Sequence, residues 1–200
     1  MGNIVTAEVR IVGVRPLLWH AFGAEAMALD GQVRHGVAGN DPTEWERSLL
    51  VTKGNQLYVE PSYVFGCLRD GAAFINYGRG SLQGLVAATL QVVDEIVLVN
   101  RYLPKVRPLP RDKDLPVYLD VRGVRNPSTR GRNIRYRVAA SKGWKMTFRL
   151  TWDRSVVSVP EMKSVVLNAG QLSGIGDARS IGYGRFAPAD DDVFKMLELN

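Results

Sequence analysis

The 200-residue sequence has one cysteine and two histidines, and this shortage excludes several kinds of chemistry. One thiol cannot form an internal disulfide, so Cys67 fits a protein of a reducing compartment. Cys67, His20 and His35 are too few to build a structural zinc site. We therefore predict no metal and no cofactor.

Long apolar runs are also missing. No run approaches the roughly 20 residues that a helix needs to cross a membrane. No charged and then apolar signal segment opens the chain. We therefore expect a soluble cytoplasmic protein without a membrane partner, and the length favours one domain over residues 1–200.

Acidic residues are absent from one long stretch of the chain. Between Val121 and Arg149 there are nine basic residues and no acid, so this segment accounts for the net charge of +6. A local block of positive charge is typical of a surface that binds a polyanion, and a solvated, flexible basic loop is the alternative. The basic residues are Arg122, Arg125, Arg130, Arg132, Arg135, Arg137, Lys142, Lys145 and Arg149.

The order of apolar patterns predicts an α+β fold. Period-two alternation predicts strands over 3–14, 91–99 and 143–153, and helical spacing predicts helices that begin at Pro61 and Pro160. With a last short strand after residue 184, this gives the βαββαβ order of a ferredoxin-like or RRM-like antiparallel sheet. Insertions are expected at about 20–60 and 104–140, and the second contains a basic β-hairpin with arms at 117–124 and 133–140.

Glycine is concentrated near the carboxyl end, in "GIGDARSIGYGRF" at 174–186. This segment follows a predicted helix, whereas a dinucleotide fingerprint follows a strand, and Arg179 stands where the third glycine would be. A Walker loop is excluded because Gly-Lys-Ser/Thr is missing. Backbone N–H groups left uncovered by side chains can bind phosphate oxygens. The alternative, compatible with the first, is that the glycines let a helix and the sheet pack closely.

The helix followed by "GIGDARSIGYGRF" resembles the C-terminal glycine-rich loop of the RAMP superfamily, the ferredoxin-like RNA-binding proteins of CRISPR antiviral effectors. The segment "LYVEPSYVFGCLRDGAAF", 57–74, is similar to their passage from a strand through Pro-x-Ser into the first helix. The basic insertion falls where backbone-forming members carry a thumb hairpin. The resemblance implies a guide or other single-stranded RNA as partner, and further copies or effector subunits as neighbours in a homo-oligomeric assembly.

The predicted nucleic-acid contacts combine arginines, which pair with phosphate, and an aromatic side chain on which an unstacked base can lie. Tyr136 is the predicted stacking residue, and Trp144 is expected in the core because it belongs to an alternating strand. The predicted contacts are Arg122, Arg125, Arg130, Arg132, Arg135, Tyr136, Arg137, Lys142, Gly174, Gly176, Arg179, Gly182, Gly184 and Arg185.

Two residues are candidates for catalysis. His20 can act as a general base or acid, but its apolar neighbours favour a half-buried corner. Asp30, with Asp41 as a second choice, loosely resembles the cleaving aspartate of type III backbone subunits, although the usual glycine-rich approach to that loop is absent. We therefore predict a non-catalytic binding protein. An RNA endonuclease using Asp30 or His20, and a viral or structural protein with the same fold, remain alternatives.

Overall fold

The computed structural model describes residues 2–21, 42–125 and 131–197, apart from the side chains of residues 132 and 133. Its framework is an antiparallel sheet of seven strands. The main path runs through Phe186–Pro188 (β11), Ile4–Gly13 (β1), Lys145–Asp153 (β10), Val97–Tyr102 (β7) and Gln56–Val59 (β3). Lys195–Leu197 (β12) also pairs with β1, and Gln91–Val92 (β6) also pairs with β10.

Two helices connect the strands in the predicted order. Pro61–Ala72 (α2) lies between β1 and β7 in the chain, and Val159–Asn168 (α4) lies between β10 and β11. Each connection joins two strands that have one other strand between them in the sheet, which is the split arrangement of the ferredoxin-like fold. The prediction of an α+β fold with βαββαβ order and insertions is confirmed.

One face of the sheet forms the core. β1 and β10 pair over nine residues, from Ile4 opposite Asp153 to Val12 opposite Lys145. Along β10 the side chains alternate, with Phe148 and Trp152 buried and Lys145 and Arg149 exposed, as expected for a sheet with one solvated face. Trp144 is also fully buried, as predicted, and its indole Nε1 donates to the Arg15 carbonyl oxygen at 2.8 Å.

Both helices cover the buried face. α2 begins at Pro61, and α4 begins with a capping box in which Ser158 and Glu161 satisfy each other's backbone N–H groups. The end of α2 approaches the π-helical turn Ala169–Ser173 that extends α4. A Cβ on Gly71 would lie 2.6 Å from the Ala169 Cα, so glycine is needed there for the two backbones to touch.

The second insertion forms a separate three-stranded sheet. Val117–Arg125 (β8) and Arg132–Ala140 (β9) pair over nine residues as the predicted hairpin, and Leu17–Leu18 (β2) pairs with β9. The remaining elements are short: Glu44–Arg47 (α1), Asn76–Tyr77 (β4), Gly80–Ser81 (β5) and Gln83–Thr89 (α3). Within the described ranges, no helix is both long and apolar enough to cross a bilayer.

Candidate nucleic-acid interface

The glycine-rich segment 174–186, called the glycine loop below, is fixed by its own backbone. The Ile175 N–H donates to the Gly184 carbonyl oxygen at 3.0 Å, and the Gly184 N–H donates to the Pro16 carbonyl oxygen at 2.7 Å. The Asp177 N–H donates to the Leu18 carbonyl oxygen at 2.9 Å. These bonds attach the loop to β2 and to the turn before it. Seven N–H groups of the loop donate within the protein, so phosphate binding by the other N–H groups stays a prediction.

Close packing explains most of the glycines in this loop. Gly174, Gly176 and Gly184 have φ values of +84°, +83° and +68°, which L side chains rarely adopt. A Cβ on Gly184 would overlap the Ile175 carbonyl oxygen, and one on Gly176 would lie 2.6 Å from the Leu18 carbonyl oxygen. Gly182 differs: its φ is +88°, but a Cβ there would meet nothing within 4 Å.

The glycine loop touches residues 117–122 of β8 and 135–140 of β9, which are called the hairpin root below. Arg122 on β8 donates from Nε and Nη2 to the two carboxylate oxygens of Asp120, at 2.6 and 2.7 Å. Its guanidinium carbon lies 4.6 Å from the centre of the Tyr183 ring, and its Nη2 also donates to the Tyr183 hydroxyl. The hydrogen bonds that Arg122 donates to Asp120 raise the pKa of Arg122. The hairpin and the glycine loop therefore lie on the same side of the molecule.

Three further predicted arginines are paired with carboxylates. Arg137 is nearly buried, and its Nε lies 2.6 Å from Asp177 Oδ2 as an ion pair without the angle of a hydrogen bond. Arg135 pairs with Glu44, and Arg179 donates to Asp70 at 3.0 Å. These side chains connect the loop, the hairpin and the helices, so part of their charge is neutralised within the protein.

The other predicted contacts are differently placed. Arg125 is exposed on β8, Lys142 is exposed after β9, and Tyr136 is half-buried against the main core. Arg130 lies outside the described residues, and for Arg132 the structure gives only the backbone, which pairs with Arg125. The nucleic-acid contacts stay a prediction.

A pocket of about 290 Å³ lies between the glycine loop and the hairpin root, beside the contact of Arg122 with Tyr183. Its lining includes Arg15, Lys113 and Lys142, all exposed, together with Gly182 and Tyr183. Sequence reasoning did not select Arg15 or Lys113. Lys113 reaches this place because the segment between β7 and β8 folds back on the hairpin, where the Leu119 N–H donates to the Pro110 carbonyl oxygen at 2.7 Å. No local pattern marks that return.

On its other side the glycine loop borders a larger groove of about 770 Å³, called the loop groove below. The groove is bounded by the end of α2, the first residue of α3 and the π-helical turn. Arg179, Ser180 and Arg185 line it from the loop. A cleft of about 250 Å³ that includes Ser62 and Gly66 lies between the start of α2 and the same loop.

Of the candidate catalytic residues, the structure describes His20 alone. His20 Nε2 lies 3.4 Å from Glu44 Oε1, and its side chain is 12% exposed. Asp30, Asp41 and His35 lie outside the described residues. Across 2–21, 42–125 and 131–197, no three His, Cys, Asp or Glu side chains are grouped so that they could hold a metal ion.

No protein-family model matches the chain, and no curated protein matches it in sequence. Among solved structures, it is similar to a chain of the "Cryo-EM structure of the Type III-B Cmr-beta bound to cognate target RNA". The alignment covers 98% of this chain and 61% of that chain, with 14% identity and a TM-score of 0.44. This chain thus spans less than two thirds of its neighbour's length, and a likeness at this level concerns the fold alone.

Proposed function

We propose that this protein binds single-stranded RNA across the surface where the glycine loop meets the root of the basic hairpin. The contact of Arg122 with Tyr183 carries the proposal, because it brings the two predicted binding elements together. Arg15, Lys113 and Lys142 surround the pocket beside this contact. None of these three has an ion-pair partner among the residues that the structure describes.

The division between paired and unpaired cations supports binding of a polyanion. Arg122 and Arg137 are held in place by carboxylates, so their guanidinium groups have fixed positions between the hairpin root and the glycine loop. Arg15, Lys113 and Lys142 surround the pocket as exposed cations and are called the rim cations below. They keep their full charge, and phosphates that bind them release the counterions that accompany the nucleic acid. Pockets on both sides of the glycine loop suit an extended strand better than one compact ligand.

The positions of the two elements support a RAMP-type subunit. The basic hairpin is inserted between β7 and β10, and the glycine loop stands between α4 and β11. These are the places where the sequence resembles the RAMP superfamily. We extend the proposal to a non-catalytic backbone subunit of a CRISPR effector, which binds a guide RNA beside further copies of itself or other subunits.

The test compares two triple variants that remove equal charge. Arg15→Ala/Lys113→Ala/Lys142→Ala removes the rim cations, whereas Lys53→Ala/Arg154→Ala/Lys195→Ala removes exposed cations that line none of these pockets. Affinity for a fluorescein-labelled 20-nucleotide RNA is measured by anisotropy at several salt concentrations. We expect the rim variant to bind at least about tenfold more weakly and to lose about two units of the log–log salt slope, since each phosphate contact contributes about 0.7.

The control variant should change the affinity by less than about threefold, because distant exposed charges are screened at physiological salt. Equal losses in both variants would show that only net charge matters. That result, or no RNA binding by the unaltered protein, would contradict the proposed function.

A further inference from the structure

The loop groove has the size and the mixed lining of a ligand site. Its volume of about 770 Å³ lies within the range of roughly 300–1,000 Å³ typical of pockets for small organic ligands. One wall is apolar and comes from Phe74 and Leu172. The charged part of the lining comes from Arg179 and Arg185 of the glycine loop, together with Asp70 and Asp177.

The apolar wall presents an aromatic ring to solvent. Phe74, just after α2, is 58% exposed, and Leu172, in the π-helical turn after α4, is 43% exposed. The backbone of Phe74 is held, because its N–H donates to the Gly71 carbonyl oxygen at the end of α2. An exposed aromatic ring on a held backbone is suited to stacking.

The charged wall has unused hydrogen-bonding capacity. Nη1 of Arg185 is buried and has no hydrogen-bond partner among the described residues, which normally costs free energy. Arg179 is already held by Asp70 and by the Ser173 hydroxyl, at 3.0 and 3.3 Å, so its guanidinium is fixed beside the groove. A phosphate oxygen is the acceptor that a guanidinium binds most strongly.

The geometry points to the loop groove as a site for one nucleotide of the bound strand, with its base stacked on Phe74 and its phosphate on Arg179 and Arg185. This inference rests on the proposed function and adds a base-dependent contact to it. Stacking depends on the π-face that every base presents, so the site accepts bases of any sequence.

The test uses two fluorescein-labelled oligonucleotides of equal length and charge, one with bases and one built from abasic residues. Anisotropy titrations compare the unaltered protein with Phe74→Ala, Phe74→Trp and the matched control Tyr77→Ala, which removes an aromatic side chain that is 49% exposed outside the groove. We expect Phe74→Ala to weaken binding of the base-bearing strand about fivefold or more, the usual effect of losing one stacked base. Its binding of the abasic strand should not change.

Phe74→Trp should retain the preference for the base-bearing strand, and its added indole should be quenched by that strand only. The four natural tryptophans are at most 5% exposed, so the new indole is the accessible one. If Phe74→Ala and Tyr77→Ala both bind the two strands as the unaltered protein does, the inference is wrong while the proposed function stands. If the unaltered protein binds neither strand, the proposed function fails and the inference fails with it.

Discussion

The two sides of the glycine loop are built differently. On the hairpin side, Tyr183 and Asp177 contact Arg122 and Arg137, and Tyr183 packs with Leu18 and Tyr118. On the helix side, the loop faces an open groove with an exposed Phe74. The hairpin side holds the loop by ring packing and ion pairs, whereas the helix side holds it through Arg179, which contacts Asp70 and Ser173, and leaves a groove open beside it. A loop fixed in this way can bind without first being ordered, which lowers the entropic cost of binding.

Charge is used differently on the two sides as well. Asp120 is 3% exposed, so its carboxylate satisfies Arg122 where water is largely excluded. Asp70 is 28% exposed and shares its oxygens between Arg69 and Arg179 at the edge of the groove. Breaking the first pair should therefore cost stability, whereas breaking the second should change stability little.

The largest effect should come from the glycines that fix the loop. Gly184→Ala would force a Cβ into the Ile175 carbonyl oxygen, so we expect a loss of about 3 kcal/mol or more of unfolding free energy, or no folding. Gly182→Ala has open space and bears only the strain of its positive φ, about 1 kcal/mol. Urea unfolding followed by tryptophan fluorescence measures both. Equal losses for the two variants would contradict the packing explanation.

A smaller loss of unfolding free energy is expected when the ion pair between Asp120 and Arg122 is broken. Asp120→Asn leaves Arg122 without its carboxylate in a partly buried place, and should lower the unfolding free energy by about 1–3 kcal/mol. The control is Asp192→Asn, which removes a 74% exposed partner of Lys163 and should leave the unfolding free energy nearly unchanged. Chemical unfolding of the two variants checks the difference. An Asp120→Asn protein as stable as the control would show that this pair does not hold the hairpin root.

The smallest effect concerns pH on the groove side. Partial burial alone would raise the pKa of Asp70, but hydrogen bonds from Arg69 and Arg179 outweigh it and hold that pKa below its ordinary value. The ionised carboxylate therefore stabilises the fold at neutral pH, and this contribution is lost as the pH falls below about 4 through the folded-state pKa.

Thermal melting of the unaltered protein and Asp70→Asn checks this expectation. The variant should melt slightly lower at pH 7, and the difference in melting temperature should narrow as the pH falls below about 4. A gap that is constant across this range would mean that Asp70 acts through its shape and not through its charge.

Local patterns in the sequence were enough to predict the fold. The alternation from Trp144 to Trp152 identified the buried face of β10, and the proline starts identified both main helices. These signals lie within one element each, so they do not depend on how the chain folds back. The glycine spacing also marked the glycine loop, because positive φ leaves a direct trace in residue choice.

The interface was harder to predict, because its contacts join distant parts of the chain. Arg122 and Tyr183 are 61 residues apart, Arg135 and Glu44 are 91 apart, and Arg179 and Asp70 are 109 apart. A run of arginines without acids is visible in the sequence, but the carboxylates that neutralise some of them are not. Only Asp120, two residues from Arg122, could have been read as a partner.

The pairing of β1 has a consequence for how the polypeptide reaches its native form during synthesis. Its partners β10, β11 and β12 all come from residues 145–197, so β1 leaves the ribosome well before the strands with which it pairs. Until those strands emerge, its apolar face, which includes Val9 and Ile11, has no native cover. Such delayed long-range pairing slows folding and leaves apolar surface exposed to water. We therefore expect nascent chains of this protein to depend on chaperones.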